Sequence, residues 1–237
     1  MNCKSCNNEC EQNYCSNCGH PTQLKRINWH YITHEIEHVL HFERGILLTV
    51  RELLIRPGQN IKHFISEDRN RLVKPIIYII VTSFIYSLIN NFFHIEEAYV
   101  NFNLDNKSAT AQIMKWIQAH YGYANIGMGI FIALWLKIFF KKKDYNLFEI
   151  LILLCFVLGT AMLLYAVFAL IQGISHIDIL GIGGIITFAY CTWAIGQFFD
   201  KSKIGSYIKS FLAYLLGMLT SLLFVVLVGK LIDSIFQ

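Results

Sequence analysis

Four cysteines near the start of the chain are spaced for metal chemistry: Cys3-x2-Cys6, eight intervening residues, then Cys15-x2-Cys18-Gly19. Two such knuckles bring four thiolates around one zinc ion in a tetrahedron, and Gly19 permits the tight backbone turn beside the metal. Cys10 lies between the pairs and reads as a small hydrophobe or spare thiol, not a fifth ligand. A closed four-thiolate site leaves no open coordination position, so its expected role is structural, with redox switching the lesser alternative. A ribbon as small as residues 1–22 needs its metal to fold.

A second cluster follows. His30, His34, His38 and His41 are spaced by four, four and three, which puts them on one face of a helix whose other face carries Trp29, Ile32, Ile36, Val39 and Leu40. Within it, His34-Glu35-Ile36-Glu37-His38 fits H-E-x-x-H, the pattern that supplies two zinc ligands and a general base, here Glu35, in metalloproteases. Against that reading, a third ligand must come from elsewhere, Glu37 adds a charge such helices usually lack, and nine histidines in the chain make a chance match easy. The preferred reading is an interfacial helix whose histidines are solvated, bonded to the bundle, or near lipid phosphate. A non-catalytic second metal or cofactor site at His30, His34, His38 and His41 ranks next, and a protease last.

The elements that must position these groups belong to a membrane protein. Of 237 residues, 55% are hydrophobic, mean hydropathy is +0.45, and soluble chains sit nearer ~45–50% apolar. No apolar signal-peptide core follows Met1, so the N-terminus is expected in the cytosol, where thiols stay reduced and close cysteine pairs bind metal. Residues 28–71 predict amphipathic juxtamembrane helices. After the His-rich helix, Ile46, Leu47, Val50, Leu53 and Leu54 form a second one, ended by Pro57-Gly58, and Asn60 to Asp68 form a third. Their bases, Arg44, Arg51, Arg56, Arg69, Arg71 and Lys74, are placed to meet anionic lipid headgroups. The same helices could equally lie beneath the bundle.

Residues 72–237 predict five spans, about 72–93, 121–140, 147–172, 177–199 and 208–231, each near or above the ~20 residues that cross a bilayer. A surface helix is expected from Ser108 to His120. Ten of the twenty Lys and Arg precede residue 75, and Lys141, Lys142, Lys143, Lys201, Lys203 and Lys209 fall in two short loops, whereas the loop 94–120 carries Glu96, Glu97 and Asp105. This alternation predicts a cytosolic N-terminus and an external C-terminus, and a membrane footprint in place of a nucleic-acid one. Lys137, Glu149 and Lys230 lie near span ends, and no charge sits mid-span, which ranks ion-coupled transport low. Gly181, Gly183 and Gly184, and Gly217 with Ser221, read as close-packing sites. No phosphate loop, dinucleotide fingerprint or G-x-S-x-G elbow occurs.

Several motifs together carry a resemblance: Tyr14 to Gly19; His34 to His38; His41, Glu43, Arg44 and Gly45; Thr49, Glu52, Leu53, Arg56, Pro57 and Gly58; and Arg69 or Arg71 with Lys74-Pro75. In this order the chain resembles an uncharacterised family of bacterial membrane proteins, common in Bacteroidota, defined by a domain of unknown function. The resemblance implies a shared architecture in the inner membrane and brings no established activity. More loosely, amphipathic helices before five spans look like the Yip family, which organises membranes and binds partners. The expectation is therefore an all-α polytopic protein without enzymatic activity, with a structural zinc ribbon that docks a protein partner, lipid contacts, and room for a homo-oligomer. A metal-dependent hydrolase and a channel or small-solute exporter are the alternatives.

Overall fold

The computed structural model describes residues 9, 16–17, 45–69, 71–93, 95 and 108–236. The chain divides into two compact units, Met1–Glu43 and Arg44–Gln237. The cysteine knuckles and the histidine helix fall in the first and lie outside the described residues. The second holds eight helices among the described residues: α1 Gly45–Ile55, α2 Pro57–Ser66, α3 Pro75–Phe93, α4 Ala109–Ala119, α5 Tyr121–Phe139, α6 Leu147–Ser175, α7 Leu180–Asp200 and α8 Ile204–Phe236. Helices α3, α5, α6, α7 and α8 are long and apolar enough to cross a membrane.

Local chemistry fixes the helix ends. Asn146 and Glu149 close a capping box at the start of α6: Glu149 N donates to Asn146 Oδ1 at 2.9 Å and Asn146 N to Glu149 Oε2 at 2.7 Å. At its other end α6 stops at His176, in the left-handed region with φ 58°. Gln172 Oε1 then accepts from Ile179 N and Leu180 N, both at 2.9 Å, so one amide caps the incoming α7. Helix α4 is capped twice, by Ser108 Oγ accepting from Ala111 N and by Asp233 Oδ1 from α8 accepting from Ala109 N at 2.8 Å. Pro57 starts α2 as well as ending α1, because a first-turn proline gives up no hydrogen bond.

Helix α6 is the axle. More than half of its apolar window is buried, against 17% for α8. Leu153, Leu154, Phe156 and Val157 of α6 meet Tyr78 and Ile79 of α3, Ile132 and Leu136 of α5, and Ile195 and Phe198 of α7. Leu53, Ile61 and Phe64 belong to the same core, so of the two placements open to α1 and α2, they are packed into one end of the bundle. Helix α8 lies outermost and crosses α5 closely: a Cβ on Gly217 would sit 2.6 Å from Ile132 Cα. Its other side exposes Leu219, Leu222, Leu223 and Leu227, a face suited to lipid.

Candidate functional site: a docked hairpin at one end of the bundle

Helices α1 and α2 form a hairpin whose turn, Arg56-Pro57-Gly58, rests on α7. Gly58 permits the contact, since a Cβ there would lie 2.5 Å from Phe198 N and nearer still to the Gln197 carbonyl carbon. The gap it leaves lets Gly58 N donate to Gln197 Oε1 at 3.0 Å. Asn60 Nδ2 donates to the carbonyls of Glu52 and Arg56, both at 3.0 Å, adding a second bond to acceptors that already receive Arg56 N and Asn60 N. Tyr190 of α7 donates to Leu53 O at 3.1 Å. Thr49 Oγ1 accepts from Val73 N at 3.1 Å and fastens the segment that leads into α3. Phe64 meets the Phe156 ring edge-on, with centroids 5.1 Å apart.

Beneath the hairpin a buried hydroxyl chain ties α3 to α6. Thr160 Oγ1 donates to Phe156 O at 2.9 Å, which uses its one proton. Tyr78 OH, 3.0 Å from Thr160 Oγ1, is therefore the donor in that pair. Thr82 donates back to Tyr78 O at 2.8 Å. These residues follow a stripe, Tyr78, Thr82, Tyr86 and Asn90, at four-residue steps on the inward face of α3, all buried.

Of the residues singled out from sequence, Cys3, Cys6, Cys15, Cys18, His30, His34, Glu35, His38, His41 and Arg44 lie outside the described residues. Arg51, Arg56, Arg69, Arg71 and Lys74 are exposed. Arg71 reaches Glu52 at 3.3 Å. Among the described residues no group of three or more His, Cys, Asp or Glu could hold a metal. Gly183 and Gly217 make the close approaches expected of them, with Phe168 and Ile132, but a Cβ on Gly181 would meet nothing within 4 Å. The contacts that sequence reading missed are those of Asn60, Gln197, Tyr190 and Thr160. Their signal was polarity inside apolar runs, without any indication of partner.

The hairpin's electrostatics are basic. Lys62 sits over the Phe198 ring, 5.8 Å from its centroid. Burial, and then the charges of Lys143 and Lys201, lower its pKa, with Asp200 acting in the opposite sense.

This fold defines a membrane protein with five candidate spans. Residues 43–87, which are the hairpin and most of α3, match a family described as protein of unknown function (DUF3667). Comparison with curated proteins finds no match, nor does comparison with solved structures. The matched stretch contains the Thr-x-x-Glu-Leu-x-x-Arg-Pro-Gly motif, and the geometry gives most of its letters a physical reason. Thr49 accepts from Val73, Glu52 pairs with Arg71, Leu53 is fully buried, Pro57 opens α2 and Gly58 meets the α7 backbone. Arg56 is the exposed member of the motif.

Proposed function

We propose that the protein is a non-enzymatic integral membrane protein that docks a partner and organises or assists machinery at the cytosolic face of a bacterial inner membrane. The observation that carries this reading is the docked hairpin. The motif residues before α3 are engaged in closing the fold, forming a fixed pedestal of the kind a recruiting module needs, with Arg51 and Arg56 exposed on it. In this reading Cys3, Cys6, Cys15 and Cys18 hold a structural zinc, and the ribbon is the part that meets a cytosolic partner. Arg44, Arg51, Arg56, Arg69, Arg71 and Lys74 contact anionic headgroups, each contributing roughly 1 kcal/mol near an anionic surface.

Metal analysis of the purified full chain, combined with photocrosslinking from the ribbon in cells, tests it. One zinc per chain, lost in Cys15→Ser, together with a discrete crosslink that disappears in Cys15→Ser and persists in Glu35→Gln, is the expected result. A second metal lost in His34→Ala, with cellular function abolished by Glu35→Gln, would transfer the assignment to a metal-dependent hydrolase.

A further inference from the structure

The α5–α6 and α7–α8 turns, far apart in sequence, meet at the hairpin end of the bundle and line an open cavity of about 370 Å³. Lys141, Lys142 and Lys143 from the first turn, Lys203 from the second and Lys209 from the start of α8 line it, with Asp200 the one acidic residue in the lining. Asp200 is already engaged, 3.5 Å from Lys143 and 3.6 Å from Lys203, and it also accepts from Ser202 N. Lys141 and Lys142 have no acidic partner among the described residues, and Lys209 lies 5.8 Å from the centroid of the Phe140 ring. Five lysines against one carboxylate leave a formal charge of +4 in one concavity.

Positive-inside bias accounts for lysines in these turns but not for their convergence on one cavity. Like charges this close repel, and a multivalent anion between them removes the repulsion. Lysine suits a phosphate because it acts as a mobile point charge and needs no planar fork. The cavity size falls within the range of small-ligand sites. Phe139 and Phe140 form part of its wall, and Ile204 and Ile208 are exposed at the start of α8, so the basic concavity continues onto an apolar face. Lys62 stands at the same end, its pKa lowered by burial first and by Lys143 and Lys201 after it, with Asp200 opposing them.

We infer that this cavity binds a phosphate group, with the headgroup of an anionic phospholipid as its source. The site differs from the arginines of the hairpin in being concave and in drawing its charge from two span-connecting turns and the start of α8. It does not depend on the zinc ribbon or on any partner.

The test uses the full chain in phosphatidylcholine nanodiscs, with phosphatidylglycerol titrated as the lipid probe and inorganic phosphate as the soluble probe, both read as thermal stabilisation. Lys141→Gln/Lys142→Gln/Lys209→Gln removes the charges not held by Asp200. Lys115→Gln/Lys230→Gln removes exposed charge outside both the cavity and the hairpin. Phosphatidylglycerol is expected to stabilise the native chain, and its apparent affinity to fall about tenfold or more in the cavity variant and less than about threefold in the control. Saturable stabilisation by inorganic phosphate alone, lost in the same variant, would retain the phosphate site and overturn its lipid source. Equal losses in both variants, or no stabilisation by either probe, would overturn the site. Metal content is unaffected by any of these outcomes, so failure here is separable from failure of the ribbon reading.

Discussion

Replacing Gly58 by alanine sets two effects of comparable size against each other. In an isolated helix the change is favourable by up to about 1 kcal/mol, because glycine carries the larger backbone entropy cost. In this fold the added Cβ would lie 2.5 Å from Phe198 N, where ordinary contact begins at 3.4 Å. Helix α2 must therefore withdraw by roughly 1 Å, since both contact atoms are backbone and cannot rotate away. Forced overpacking of this kind costs about 1–3 kcal/mol. The Gly58 N to Gln197 Oε1 bond is lost as well, for about 1 kcal/mol. The hydrogen-bond loss offsets the propensity gain, which leaves a net destabilisation of about 1–3 kcal/mol. Full undocking would also strip Leu53, Ile61 and Phe64 of their partners and cost more.

Gly127 provides the control, because a Cβ there meets nothing within 4 Å. Gly127→Ala is expected to be neutral or slightly stabilising. Equilibrium unfolding in mixed micelles gives the global change, and amide exchange over Gly45–Ser66 shows whether the loss is local to the hairpin. If Gly58→Ala proves as stable as the parent and exchange in the hairpin is unchanged, the close approach of α2 to α7 is wrong, and the pedestal argument falls with it.

Asn60→Ala should cost about 1–2 kcal/mol and speed amide exchange at the α1–α2 turn, since it removes the side-chain bonds that tie the Glu52 and Arg56 carbonyls together while their backbone partners remain; unaltered exchange there would refute the bridging role of this amide. Thr160→Val should destabilise more than Tyr78→Phe, because the first strips the Tyr78 hydroxyl of its acceptor while the second leaves Thr160 bonded to Phe156 O; unfolding free energies in the opposite order would contradict the assigned donor. Lys62 gives a pH signature. Its folded pKa is lowered by burial first and neighbouring lysines second, so the unfolded chain binds the proton more tightly, and the charged side chain weakens the fold throughout the range below the lowered pKa. Stability should therefore rise as pH climbs from that lowered value towards 10.5, and Lys62→Gln should flatten this rise; an equal rise in the variant would assign it to other groups.

Much of the helical architecture was legible because hydropathy and capping are local. Five apolar runs gave five candidate spans, Ser108 marked the start of α4, and Lys141 to Lys143 marked the end of α5. Glu149, placed from sequence near a span end, completes the α6 cap, since its partner Asn146 stands three residues before it. Boundaries slipped where no local signal exists: α8 begins at Ile204 rather than near 208 because the turn after Asp200 is closed by Tyr207 donating to Lys201 O.

The sequence by itself determined the number of spans, the placement of the lysines and the small, polar and aromatic residues available for packing, because each follows from properties summed over neighbouring residues. It left the hairpin free to lie on the membrane or beneath the bundle. Only tertiary structure decided that point, through a contact between Gly58 and Gln197, 139 residues apart, where the absence of one methyl group lets two backbones approach. The same holds for the basic cavity, whose two turns carry ordinary loop lysines until the packing of α5, α6, α7 and α8 brings them together.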